Sequence, residues 1–180
     1  MYKLLNPVLS LAVMATMLVA CQGQQANTKT DNQSDNEDAR ERMIQTNRRM
    51  LDQERNWIEE YIEENNWTDS MVTMGNGGYI QFLVKTDAER IASKQDVFFL
   101  CTAELLDGTS IYTEEIAERT WKVDRTDGEL GLHDALKKMA KGERARVILP
   151  SYQAFGLAGD LDEVPPRAPI LYTLEIIDVR

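Results

Sequence analysis

Few residues in this chain have the type and spacing to act as a nucleophile or a metal ligand. There are two cysteines, Cys21 and Cys101, and one histidine, His133. Cys101 closes the apolar run Val97-Phe98-Phe99-Leu100-Cys101, where a thiol behaves as a small buried hydrophobe. A thiolate nucleophile needs a base beside it, and His133 reads as a solvent-facing residue near the start of a surface helix. No Cys/His cluster has metal-ligand spacing, so neither a metal nor a cofactor is expected. The remaining chemical resource is shape. Trp121, Phe155 and Tyr172 fall in strand-rich sequence, where they serve either as plain core or as the lining of an apolar recess.

Composition narrows the partners. The 180 residues, 43% of them apolar, suffice for one compact domain with extensions. The formal net charge of -10 excludes a nucleic-acid binder, which would need clustered Lys and Arg to displace counterions from phosphates.

The first residues nevertheless point to a membrane. Lys3 supplies a positive start, residues 8–20 an apolar stretch too short to span comfortably, and Leu18-Val19-Ala20-Cys21 a small-residue cleavage end. This ending resembles a bacterial lipoprotein signal, which implies cleavage before Cys21 and acyl chains on its sulfur, each contributing about 0.8 kcal/mol per buried CH₂. With Gln22 following the cysteine, the resemblance implies the outer membrane; it leaves the face open, and the periplasmic side is the expected one.

The elements that must position any site follow from periodicity. Residues 22–37 are Gln, Asn, Thr, Asp and Ser with almost nothing to bury, which predicts a disordered tether spanning roughly 20–25 Å. From 39 to about 65, Met43, Ile44, Met50, Leu51, Trp57, Ile58, Tyr61 and Ile62 form one helical stripe. Its expected cover is the globular domain of its own chain, with a homodimer seam through residues 39–65 as the alternative. Strands are predicted over 79–85 and 96–105, with a return through Thr109 to Tyr112, and around Trp121-Lys122-Val123. Leu132, Ala135, Leu136, Met139 and Ala140 then trace a short helix, with Gly142 as its left-handed cap. Ala145, Val147 and Leu149 point inward from the next strand, and Ile170, Tyr172, Leu174 and Ile176 from the last. Strand-rich sequence around one short helix makes an α+β fold.

The order Gly131-Leu132, Met139, Lys141-Gly142-Glu143-Arg144-Ala145, Leu149-Pro150-Ser151, Ala154-Phe155-Gly156, Gly159-Asp160, Pro165-Pro166 and the strand over 170–179 resembles the C-terminal half of FKBP-type peptidyl-prolyl isomerases. A narrower similarity is to the GldI-like lipoproteins associated with gliding motility, carried by the preceding helix, Trp121-Lys122-Val123-Asp124 and Pro150-Ser151. The resemblance implies a twisted antiparallel sheet wrapped around one short helix, with a pocket between them and a long amphipathic helix in front. The division is a signal over 1–20, lipidated cysteine and tether over 21–38, helical extension over 39–70, and FKBP-like domain over 71–180.

The resemblance also implies the pocket. Leu132 stands at its floor, Phe155 at the tyrosine of the Ala-Tyr-Gly motif, Tyr172 at an aromatic wall, and Trp121 or Val123 at the aromatic positions of the third strand. Ile111 and Tyr112 complete the lining. Against the family pattern, Cys101 replaces a strand tyrosine, Ile111 a phenylalanine and Tyr112 an aspartate, while the Val-Ile pair falls on Gly128-Glu129, or on Glu129-Leu130 with one deletion. The implied function is isomerisation of X-Pro bonds in proline-containing segments of exported envelope proteins. The alternative is a catalytically weak chaperone or assembly subunit of an envelope machine.

Overall fold

The computed structural model describes residues 28–111 and 117–180. The signal segment, Cys21 and Tyr112 lie outside them. The chain divides into two compact units, Met1–Arg49 and Met50–Arg180. In the first, the described residues are all helical, as the opening part of α1 (Thr28–Glu64). This corrects the tether expected up to residue 38: helix reaches back eleven residues before Ala39. Helix propagation from a nucleated segment needs no buried face, because each added residue gains a hydrogen bond at little cost. Met43 and Ile44 are 66% and 50% exposed.

The second unit holds the sheet. β1 (Val72–Thr73), β2 (Tyr79–Val84), β3 (Asp96–Leu105), β4 (Ala117–Lys122), β5 (Arg144–Leu149) and β6 (Ile170–Val179) form one antiparallel sheet in the order β1-β2-β5-β6-β3-β4. The two longest strands, β3 and β6, lie side by side, Cys101 opposite Leu174 and Ala103 opposite Tyr172. The α+β architecture read from the periodicity is the one observed.

α2 (Leu130–Lys138) covers one face. Its Leu132, Ala135 and Leu136 are fully buried with Val97, Phe99, Val147, Leu149, Ile170, Leu174 and Ile176 from the strands. Each large aliphatic so buried stabilises by roughly 1.5–3 kcal/mol. The helix ends earlier than its apolar positions suggested. Met139 is already extended, at φ -102°, and its N–H bonds to Leu136 O. Gly142 is left-handed as expected, at φ +79°, but it turns the chain into β5 rather than capping α2, its N–H donating to Ile176 O at 2.9 Å.

The opposite face has its own small core. Ile148 and Leu171, out of phase with the inward series, are buried with Ile58 and Ile62 of α1, flanked by Tyr61, Trp67, Met71, Tyr79 and Leu106. The expected packing on the chain's own sheet is therefore real for the last turns of the helix. It does not extend to Met50, Leu51 and Trp57, which remain 36%, 44% and 49% exposed. The sheet offers two apolar positions there, so it covers a shorter stretch than the stripe presents.

Candidate functional site

Five of the six residues singled out from the sequence come together. Trp121, Ile111, Leu132 and Tyr172 belong to the main buried cluster, and Phe155 packs against it while remaining half-buried. Strand register places them: Trp121 faces Val97 across the β3–β4 pair, and Tyr172 sits between Ala103 on β3 and Val147 on β5. Ile111 follows the hairpin turn and donates its N–H to Ala103 O at 2.9 Å, which brings it beside the Tyr172 row. Val123, the alternative to Trp121, is fully buried in the same cluster.

Trp121 is the centre of a built aromatic corner. Phe99 meets it edge to face, with centroids 5.7 Å apart at 90°, and the His133 ring lies 4.9 Å away at 39°. The Gly128 Cα lies against the indole, where any Cβ would overlap the ring. Glycine stands here because the Trp121 ring takes the volume that a side chain would fill.

His133 corrects the reading made from its sequence position. It is 4% exposed, not solvent-facing. Nδ1 accepts from the Asp124 N–H at 3.1 Å, so Nε2 carries the hydrogen and donates to Thr126 O at 3.0 Å. The turn after β4, in which Asp124 adopts φ 60°, folds back over the start of α2 and satisfies both ring nitrogens. Burial without loss of hydrogen bonding is what lets an imidazole sit against Trp121.

The polar edge is supplied by a residue the sequence reading treated only as a departure. Glu129, half-buried and immediately before α2, accepts from the Tyr172 hydroxyl at 3.0 Å. Burial, reinforced by the Glu129 charge, raises the Tyr172 pKa well above the phenol range, so the hydroxyl remains a donor. Cys101, beneath it in the sheet, is pushed up to about 11, mainly by burial. It stays a neutral thiol at physiological pH and does not serve as a nucleophile.

The loop carrying Phe155 begins at the 3-10 turn Ser151–Gln153. Ser151 O accepts from the N–H groups of Ala154 at 2.9 Å and Gly156 at 2.7 Å, the two neighbours of Phe155. Beyond it, the acidic run Asp160, Asp162 and Glu163 has a knot inside it. Asp160 Oδ1 accepts from the N–H groups of Asp162 at 3.0 Å and Val164 at 2.7 Å. Gly159, at φ +68°, lies so close to Val164 and Pro165 that no Cβ fits. Leu157 and Leu161 project from this loop, 66% and 89% exposed, and Leu130 is 69% exposed at the start of α2.

Among the described residues no group of three or more His, Cys, Asp or Glu could hold a metal, and no helix is long and apolar enough to cross a membrane.

An antiparallel sheet around a short helix, with an aromatic cluster between them, is a known architecture. A peptidyl-prolyl cis-trans isomerase from Pseudomonas syringae pv. tomato superposes with a TM-score of 0.61 at 21% identity, covering 73% of this chain and 94% of that one. FkpA from Escherichia coli gives 0.61 at 19% identity, over 99% of this chain and 84% of that one. Residues 87–177 match the FKBP-type peptidyl-prolyl cis-trans isomerase family. The chain belongs to that family. A probable FKBP-type 25 kDa peptidyl-prolyl cis-trans isomerase from Pseudomonas aeruginosa is 40% identical over 50 residues, 28% of this chain and 22% of the relative. Human peptidyl-prolyl cis-trans isomerase FKBP9 is 32% identical over 79 residues, 43% of this chain and 14% of the relative. The chain thus spans less than a quarter of the curated relatives it matches.

Proposed function

We propose that this chain catalyses cis-trans isomerisation of X-Pro bonds in exported envelope proteins, in the apolar site bounded by Trp121, Ile111, Leu132, Tyr172 and Phe155; Tyr112, expected to complete the lining, lies outside the described residues. The observation that carries this reading is the convergence of four buried members of that set on one cluster with the half-buried Phe155 ring at its margin. Rotation about the imide passes a twisted state about 18–20 kcal/mol above the planar one. Twisting breaks amide resonance, so a dry, aromatic surface favours the twisted form over the planar, hydrated one. Each tenfold in rate requires only about 1.4 kcal/mol of such preference. The Glu129–Tyr172 pair gives the site a polar margin, where Glu129 remains half open to a substrate N–H.

The anchor belongs to the same proposal. The Leu18-Val19-Ala20-Cys21 sequence supports lipid on Cys21 and Gln22 supports the outer membrane, where the chain is placed on the periplasmic side as part of the same proposal. The preceding helix together with Trp121-Lys122-Val123-Asp124 supports placement in the GldI-like group.

A second reading, a weakly catalytic chaperone or assembly subunit, is favoured by the exposed leucines at 130, 157 and 161. Isomerisation of a proline tetrapeptide series by the soluble 22–180 fragment separates the two. Turnover well above the buffer rate, lost in Phe155→Ala, supports the isomerase. A buffer-level rate from the folded fragment sinks it and shifts the test to capture of an unfolded client.

A further inference from the structure

Helix α1 lies outside residues 87–177, yet it sends one carboxylate into the loop that carries Phe155. Glu54 is 6% exposed. Its Oε2 accepts from the Ser151 hydroxyl at 2.9 Å and its Oε1 from the Ser151 backbone N–H. Both oxygens therefore act on a single residue, fixing the Ser151 side chain and the peptide plane that precedes it. Ser151, 2% exposed, turns this constraint onward, because its carbonyl holds the N–H groups on either side of Phe155.

The same turn is braced from the opposite direction. Gly131, in the first turn of α2, lies so close that a Cβ there would meet Gln153 Cβ at 3.0 Å and Leu149 at 2.6 Å. The turn is thus clasped between α2 and the Glu54 carboxylate. A buried carboxylate persists only where donors replace its water, and its charge-assisted hydrogen bonds are about twice as strong as neutral ones. An apolar residue at position 54 could accept neither bond. It would leave the Ser151 N–H unpaired and the loop free to shift.

We propose that Glu54 is a positioning residue for the isomerase site: through Ser151 it sets the place of Phe155, so that the family domain is completed by a side chain from the helix in front of it. Shape-defined catalysis is sensitive to such placement, since a shift of about 1 Å in a positioned group can cost on the order of a hundredfold in rate. The inference rests on the prolyl-isomerase reading.

The test uses the full chain with Glu54→Ala, Glu54→Gln and Ser151→Ala, each checked by thermal unfolding. Turnover of a proline tetrapeptide is measured together with amide hydrogen exchange at Ala154 and Gly156. In Glu54→Ala, exchange at those two amides should rise about tenfold with β5 and β6 unchanged, and kcat should fall about tenfold with KM nearly constant. Glu54→Gln, whose carbonyl still accepts the N–H and whose amide can donate to the Ser151 oxygen, should restore both to within about threefold. Exchange rising uniformly across the sheet, with activity lost only in proportion to unfolded protein, would make Glu54 an ordinary buttress and overturn the proposal. Should Glu54→Ala not fold, Ser151→Ala decides: about threefold faster exchange at Ala154 and Gly156 supports the clasp, and wild-type exchange refutes it. A wild-type chain without turnover would defeat the isomerase reading alone, because the exchange rates report the clasp independently.

Discussion

The Tyr172 hydroxyl donates to Glu129 Oε1 across 3.0 Å, hooking the start of the last strand to the residue that opens α2. Tyr172 is fully buried, and a phenol so placed needs an acceptor. The family resemblance assigns a carboxylate to position 112, which here is tyrosine. The carboxylate at the buried tyrosine comes instead from the segment before α2. The two sides of this bond should respond unequally to deletion. Tyr172→Phe removes a donor and lets the half-open Glu129 rehydrate, costing about 1 kcal/mol, whereas Glu129→Ala strands a buried hydroxyl at roughly 1–3 kcal/mol. Denaturant unfolding of both single variants and the double variant checks this ordering; a larger loss in Tyr172→Phe would contradict it.

Phe155→Ala should separate activity from stability. The ring is half-buried at the edge of the cluster, so its truncation should cost less than the 3–5 kcal/mol typical of a fully buried phenylalanine, about 1–2 kcal/mol. Tetrapeptide turnover should fall at least tenfold. Parallel loss of both would assign the ring to the core.

Alkaline pH should weaken the fold in a defined window. Cys101 is raised to about 11 from 9.0 and Tyr172 is raised from 10.0, burial being the first cause in each. Between the unfolded and folded values the native state holds more protons than the unfolded one, so stability falls as pH rises. The contribution is intact below about pH 9 and is lost progressively above it. Tyr172→Phe should flatten the part of the decline above pH 10, and Cys101→Ala the part between 9 and 11, in urea titrations at stepped pH. An unchanged alkaline limb in both variants would show that other groups control it.

Glu143 should be a stability residue with little influence on turnover. It is fully buried at the entry to β5, accepting from Arg90 Nη1 at 2.5 Å and from the N–H groups of Ala140 at 3.0 Å and Thr86 at 3.2 Å. Glu143→Ala leaves two backbone donors without their acceptor, for a loss of about 2–3 kcal/mol. Calorimetry should register it, with kcat per folded molecule near wild type. A destabilisation below about 0.5 kcal/mol would mean that water replaces the carboxylate freely.

Removing everything before Val72 should uncover Ile148 and Leu171, which Ile58 and Ile62 now cover. The shortened chain is expected to aggregate or to bind a hydrophobic dye. A soluble monomer of native stability would show that the helix is not needed to cover the sheet.

Much of this fold was legible because strands report on two faces with a period of two. β3 falls on 96–105 as the apolar run indicated, and the inward series of β5 and β6 is buried throughout. Ile148 and Leu171 carried a readable signal that was passed over: apolar residues out of phase with that series mark a second covered face. The buried acids carried none. Glu54 and Ser151 are 97 positions apart, and nothing near either one announces the other. His133 was misplaced for the same reason, since its partners arise from a turn that folds back onto the helix.

The sequence by itself determined the long strands, their inward faces and the described residues that converge on the aromatic cluster, because hydrophobic periodicity is a local property that burial must obey. Only the tertiary structure decided which carboxylates go inside and what they hold. A charged side chain is buried where distant donors replace its water, at Ser151 for Glu54 and at Arg90, Thr86 and Ala140 for Glu143, and those distances exist only once the chain has folded.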